Sequence, residues 1–315
     1  MRRLPWGPAI RFMPSHGLLA VAALLLADCA HQDLSAPTAQ FAEAMAQSSA
    51  AIEAVFTDEH SYAQGVYLER QAIDAKPISK KTLETGVGII SPAALQPRLH
   101  AIELVKAYAT TLASIASSTA PSAALSATQA MGSDLTTLAA TFEKAGRANP
   151  TDSNASKYVG PVSTVVGWVT EQALDYERNK AMKAAVDQAS PSVKTMLSLL
   201  QSDLTLLRLQ RQIDNTELLS ALLNSYNRNA ARLSWTERKA LTAEIASDEN
   251  AKLTSAHFAA LDSVSAWGKA NDALIVYLNS PQSSSDLASL VAAINAFSAR
   301  VQPLLEAMST IKQLR

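Results

Sequence analysis

The chain has 315 residues, and 27 lysines and arginines nearly balance 28 aspartates and glutamates. That balance supplies no basic stripe to follow a phosphate backbone, so nucleic acid is not an expected partner. A single cysteine rules out an internal disulfide, and few glycines and aromatics beside abundant alanine, leucine and serine favour helix over sheet.

The chain opens with Arg2, Arg3 and Arg11, followed by the apolar run Leu18 to Ala27. A helix of that length rises only about 15 Å, whereas a bilayer core takes about 20 apolar residues. A basic head, a short apolar core and small residues behind it read as a secretory signal peptide. The residues Leu26-Ala27-Asp28-Cys29 resemble the lipobox of bacterial lipoproteins, with Asp28 standing where that family carries a small residue. The resemblance covers residues 1–29. It implies that residues 1–28 are removed as a lipoprotein signal peptide, that the Cys29 thiol and the new amino terminus are acylated, and that lipid holds the chain on a membrane. An ordinary secretory peptide cut nearby is the alternative. Residue 30 is alanine rather than aspartate, and the same resemblance then implies an outer-membrane location facing the periplasm. Translation from Met13 rather than Met1 would leave no lysine or arginine ahead of the apolar run.

Residues 29–37 form a short polar tether, and residues 38–315 a single helical domain. The first helix is expected from Thr38 to Ala75. Its seam steps by four and three through Phe41, Met45, Ser48, Ile52, Val55, Glu59, Tyr62, Val66, Glu69 and Ile73, a heptad spacing. Prolines and glycines between residues 76 and 97 predict a long loop, with an apolar tip at Gly86 to Ile90. A second helix follows from Pro97 to Ser118, with Leu99, Ile102, Val105, Leu112 and Ile115 inward. A third runs from Pro121 to Gly146, and a fourth from Pro161 to Ala189. Ser190-Pro191 reads as an N-cap followed by proline in the first turn, opening a fifth helix that reaches Asn227. In that helix Val193, Leu197, Leu200, Leu204 and Leu207 precede a charged stretch, Arg208 to Glu217, which marks either local unwinding or a polar layer.

Ser234-Trp235-Thr236-Glu237 has the form of a capping box, the clearest helix start in the chain. A sixth helix is expected to run unbroken from Trp235 to Asn279. Ser283 and Asp286 open the last helix, whose stripe is Leu290, Ile294, Phe297, Val301, Leu304, Met308 and Ile311, with Pro303 inside it. The fold expected is all-α, an elongated antiparallel bundle of about seven helices with heptad-like seams.

No His-Glu-x-x-His, paired Cys-x-x-Cys, Gly-x-Ser-x-Gly or Gly-rich phosphate loop occurs, so no catalytic residue, cofactor or metal is expected from motifs. His257 falls on the seam of the sixth helix and is read as a polar core contact or a ligand contact. Seam positions also place Glu59 and Glu69 within reach of Arg208, Arg211 or His257. Asp58-Glu59-His60 and the pair His100–Glu103 are read as solvated surface. The function expected is a membrane-tethered envelope lipoprotein acting as a non-enzymatic interaction or scaffolding module with an envelope protein as partner. The alternative is a periplasmic bundle that binds or senses a small ligand.

Overall fold

The computed structural model describes residues 33–85, 90, 92–117, 155–158, 160–161, 178–246 and 249–313. The expected signal peptide, Cys29, the expected third helix and most of the expected fourth lie outside the described residues. From Leu34 onward the chain forms one compact unit. Its helices are α1 (Ser35–Ile73), α2 (Lys80–Thr85), α3 (Pro92–Ser117), a 3-10 turn (Ala155–Tyr158), α4 (Arg178–Asn229), α5 (Trp235–Ile245), α6 (Glu249–Asn279) and α7 (Ser284–Gln313). There is no strand among the described residues, and the chain is an all-α bundle. None of these helices is long and apolar enough to cross a membrane.

Side-chain pairs fix the directions of the five long helices. On α1 and α6, Ser48 meets Ser263 and Glu59 meets His257, so these two run antiparallel. On α4 and α6, Lys183 meets Asn279, Ser190 meets Asn271 and Arg208 meets Phe258, again antiparallel. Arg98 of α3 bonds Asp203 of α4, while Tyr108, further along α3, shares Asn271 with Ser190, so α3 opposes α4. The tight turn at Ser280 to Ser283 returns α7 against α6. Among the described residues these five long helices therefore alternate in direction, in the order of their numbers. The seams bury as heptad spacing requires: every residue of the α7 stripe from Leu290 to Ile311 is buried, as are Val193 to Leu207 on α4.

Several boundaries differ from those read in the sequence. α1 begins at Ser35 rather than Thr38, because Leu34, Pro37 and Thr38 are already buried and the Thr38 hydroxyl bonds the Leu34 carbonyl at 2.7 Å. The stretch 76–97 contains α2 and the first turns of α3, which passes through Pro97. Ile90, at the end of the apolar tip, is buried; residues 86–89 lie outside the described residues.

α4 does not break at Ser190-Pro191. The Ser190 hydroxyl, expected to cap a new helix, instead accepts from Asn271 Nδ2 at 3.0 Å. Val186, Ala189 and Val193 continue one buried stripe across the proline, and Pro191 itself faces solvent. Packing on both sides offsets the backbone bond that proline removes, a loss of about 3 kcal/mol in an unsupported helix. In α7, Pro303 likewise lies on the exposed side. The sixth helix is two elements, α5 and α6, because α5 buries none of its residues and so nothing holds it in line with α6. Its start is as read: Ser234 Oγ accepts from the Glu237 backbone, and the Glu237 carboxylate accepts from the Ser234 backbone at 2.7 Å.

Candidate functional site

The charged stretch of α4 is a polar layer, not an unwound segment. Continuing the four-three spacing from Leu204 and Leu207 reaches Arg211, Asp214 and Leu218, and α4 stays helical throughout. Arg211 and Asp214 thus occupy core positions, and both are buried. Arg211 Nη1 lies 2.7 Å from Glu59 Oε2 and 3.5 Å from Asp58 Oδ2. His257 Nε2 stands 3.3 Å from the same Glu59 oxygen. The ring of Tyr62 lies against the guanidinium, 3.5 Å from carbon to centroid. Three helices thus contribute one seam residue each to a buried layer of Glu59, Arg211 and His257. Arg208 is elsewhere, over the ring of Phe258 at 4.7 Å.

Asp58-Glu59-His60 is therefore not solvated surface. α1 packs against α3, α4, α6 and α7 together, so its buried arc is wide enough to take in Asp58 beside the seam residue Glu59. His60 is half-buried beside Gln64. Among the described residues no three His, Cys, Asp or Glu side chains are placed to hold a metal ion.

A cleft of about 470 Å³ opens next to this layer, between α1, α4 and α5. α1 contributes Tyr62, Gly65, Val66 and Glu69; α4 contributes Asn215, Thr216, Leu218, Leu219 and Leu222; α5 closes one side with Glu244 and Ile245. Tyr62 joins cleft and layer, because its hydroxyl bonds the Asn215 side chain while its ring rests on Arg211. Burial pushes the Tyr62 hydroxyl up to about 12; Arg211 opposes this, and Asp214, Glu59 and Glu69 add to it. The phenol therefore stays protonated and can donate.

Gly65 faces open space: a Cβ built there meets nothing within 4 Å. Gly65→Ala is expected to stabilise the bundle by about 0.5–1 kcal/mol, because alanine restricts the unfolded chain more than glycine does. Urea denaturation would show this as a higher midpoint with an unchanged slope.

A second cluster lies between α1 and α3. His100 is half-buried, while the Glu103 side chain is still 43% exposed and bonds Lys106 at 3.2 Å. Burial, then a hydrogen bond and repulsion from Glu103, raise the Glu53 carboxyl from 4.5 to about 7, with Lys106 pulling the other way. Burial also lowers the His100 imidazole, against the pull of Glu103. Between pH 4.5 and about 7 the folded state holds the Glu53 proton that the unfolded chain releases. Stability contributed by this carboxyl is complete below that window and declines as pH rises through it. The difference in urea midpoint between wild type and Glu53→Gln, measured from pH 4 to pH 8, is expected to change across this interval and stay level above it.

Sequence reasoning did not find three features. Asn271 links Tyr108 and Ser190 across three helices, and nothing in its local spacing sets it apart. Arg98 and Asp203 form a fully buried ion pair with Tyr158. Asp203 does sit one residue before Leu204 of the α4 seam, which was the available signal. The cleft depends on helix adjacency, which one-dimensional spacing does not encode. The chain matches no protein-family model, no curated protein and no solved structure.

Proposed function

We propose that this chain is a bacterial envelope lipoprotein, anchored through acylated Cys29, that works without chemistry of its own as an interaction or scaffolding module. The lipobox-like residues Leu26 to Cys29 support the anchor, with the outer membrane, facing the periplasm, as its site. The observation that carries the interaction is a row of apolar side chains on α4 opposite its core face. Leu206, Leu209 and Ile213 are 41%, 44% and 50% exposed and fall on one side of the helix. Apolar groups gathered in this way on a water-facing helix mark a contact surface for another protein. Labelling with a fatty-acid probe should tag the wild type and spare Cys29→Ala; absence of label from both would remove the anchor. A photo-crosslinker at Leu209 should capture one reproducible envelope protein. The same spread of neighbours as from exposed Ala288 of α7 would count against a docking surface.

The cleft favours a second reading, a bundle that binds a small ligand. Its volume of about 470 Å³ lies within the range of roughly 300–1,000 Å³ usual for small-molecule sites. It combines apolar walls with a few convergent polar groups, the pattern expected of such a site.

A further inference from the structure

We infer that the end of the bundle where α4 turns into α5 docks on a membrane surface rich in anionic lipid. α1 and α4 each run antiparallel to α6, so both finish at this end. A hydrogen bond and attraction from Lys76, then Arg228 and Arg70, hold the Asp74 carboxyl below its ordinary value, which sets the turn after α1 close to the last turn of α4. Here Trp235 is 71% exposed and Ile78 57%, two of the three most exposed large apolar side chains among the described residues. With them stand Arg228, Arg232 and Lys239, all exposed, and the half-buried Arg238. Trp235 and Lys239 are four apart on α5 and so share one face. Asp74 and Glu237 are the only acids in residues 74–83 and 228–243. Asp74 is taken up by Lys76 at 2.8 Å, and the Glu237 carboxylate by the Ser234 backbone. Arg232 and Lys239 make no ion pair among the described residues.

The geometry of this tip is fixed. The Arg238 guanidinium donates to the carbonyls of Ala230 at 3.2 Å and Leu233 at 2.7 Å, and the Ser234–Glu237 box sets the first turn of α5. Because α5 buries none of its residues, Trp235 adds nothing to the core and its ring is held out in water. An indole at headgroup level, with arginine and lysine against anionic phosphate, is the combination an interfacial membrane contact uses. A fluid bilayer accepts an isolated indole anywhere on its surface, whereas a protein partner needs a pocket shaped for it. The contact does not depend on the Cys29 lipid. α1 spans about 58 Å from Ser35 to this end. Held at both Cys29 and the tip, the bundle lies along the membrane rather than upright on it.

The test is co-sedimentation of the full-length chain carrying Cys29→Ala with vesicles of phosphatidylcholine, alone or with about one third phosphatidylglycerol. The anionic vesicles are expected to capture it at least about tenfold better than the neutral ones, with the advantage shrinking in high salt. Arg232→Ser with Lys239→Ser should lower that capture about 25-fold, since each basic residue at an anionic surface multiplies binding by about fivefold. Both side chains are exposed, and circular dichroism should show the helices unchanged. Brominated lipid should quench more fluorescence from this chain than from its Trp235→Phe counterpart, the difference placing that indole at the bilayer. Residues 18–27 are common to every variant, so differences among the variants report the tip. No capture, equal capture by neutral and anionic vesicles, or capture indifferent to the two serines would overturn the proposal. Capture that needs Arg232 and Lys239 but leaves Trp235 unquenched would also overturn it, in favour of an acidic protein docking on the same end.

Discussion

Replacing Arg211 with methionine is expected to destabilise the bundle by about 3–5 kcal/mol, the range for removing one partner of a buried ion pair. The guanidinium is 1% exposed, and it is the cation against which both Glu59 and Asp58 are placed. Without it, two carboxylates at 5% and 6% exposure lose the arginine they face in a medium that solvates them poorly. Arg211 Nε and Nη2 are themselves buried with no hydrogen-bond acceptor among the described residues, so the pair is incompletely satisfied even when intact. For that reason Glu59→Leu combined with Arg211→Met should recover the part of the loss that belongs to Glu59, because apolar groups of similar size need no such compensation, while Asp58 still lacks the arginine. Urea denaturation followed by circular dichroism measures each step. A loss below about 1 kcal/mol for Arg211→Met would show the layer to be solvated and structurally minor.

The parts of the bundle legible from sequence are those where one face alone is buried. α7 packs chiefly on α6 and α1, so its stripe from Leu290 to Ile311 stands out against polar neighbours. Glu59, Arg211 and His257 were legible for a related reason, since each interrupts a seam at a core position and a seam residue has nowhere else to point. Asp58 was not, because α1 is surrounded and buries residues beside its seam as well as on it. Local signals failed where tertiary contacts overrode them. Ser190-Pro191 has the composition of a helix start, yet Asn271 occupies the serine hydroxyl and α6 packs along both sides of the proline. Conversely, the apolar spacing from Leu241 to Leu278 suggested one helix, but Leu241 and Ile245 are only half-buried and the chain divides into α5 and α6. The cleft forms at that division, with Glu244 and Ile245 at the end of α5 forming one side. Its charged and apolar residues come from three separate helices, so no window of the sequence contains it.

Asp203→Ala should also cost about 3–5 kcal/mol, here by unfastening three segments at once. Asp203 Oδ2 accepts from Arg98 Nε at 2.7 Å and from the Tyr158 hydroxyl at 2.9 Å, while Oδ1 accepts from Arg98 Nη2 at 3.3 Å. Arg98, Asp203 and Tyr158 are 2%, 1% and 0% exposed, so water cannot replace the carboxylate. Alanine would deprive both the guanidinium and the phenol of this acceptor and open a cavity beside Leu204. Tyr158→Phe removes a single donor from a carboxylate that keeps its two bonds to Arg98, and should cost only about 1 kcal/mol. The two substitutions share a partner, so their effects should not add: in Asp203→Ala, the further change Tyr158→Phe should cost less than it does in the wild type, since the hydrogen bond it removes is already gone. Thermal unfolding resolves these values, each kcal/mol moving Tm by about 2–4 °C in a domain near this size. Additive losses would mean that Tyr158 is held by its apolar surroundings rather than by Asp203, and that the 3-10 turn docks on α3 and α4 through packing alone.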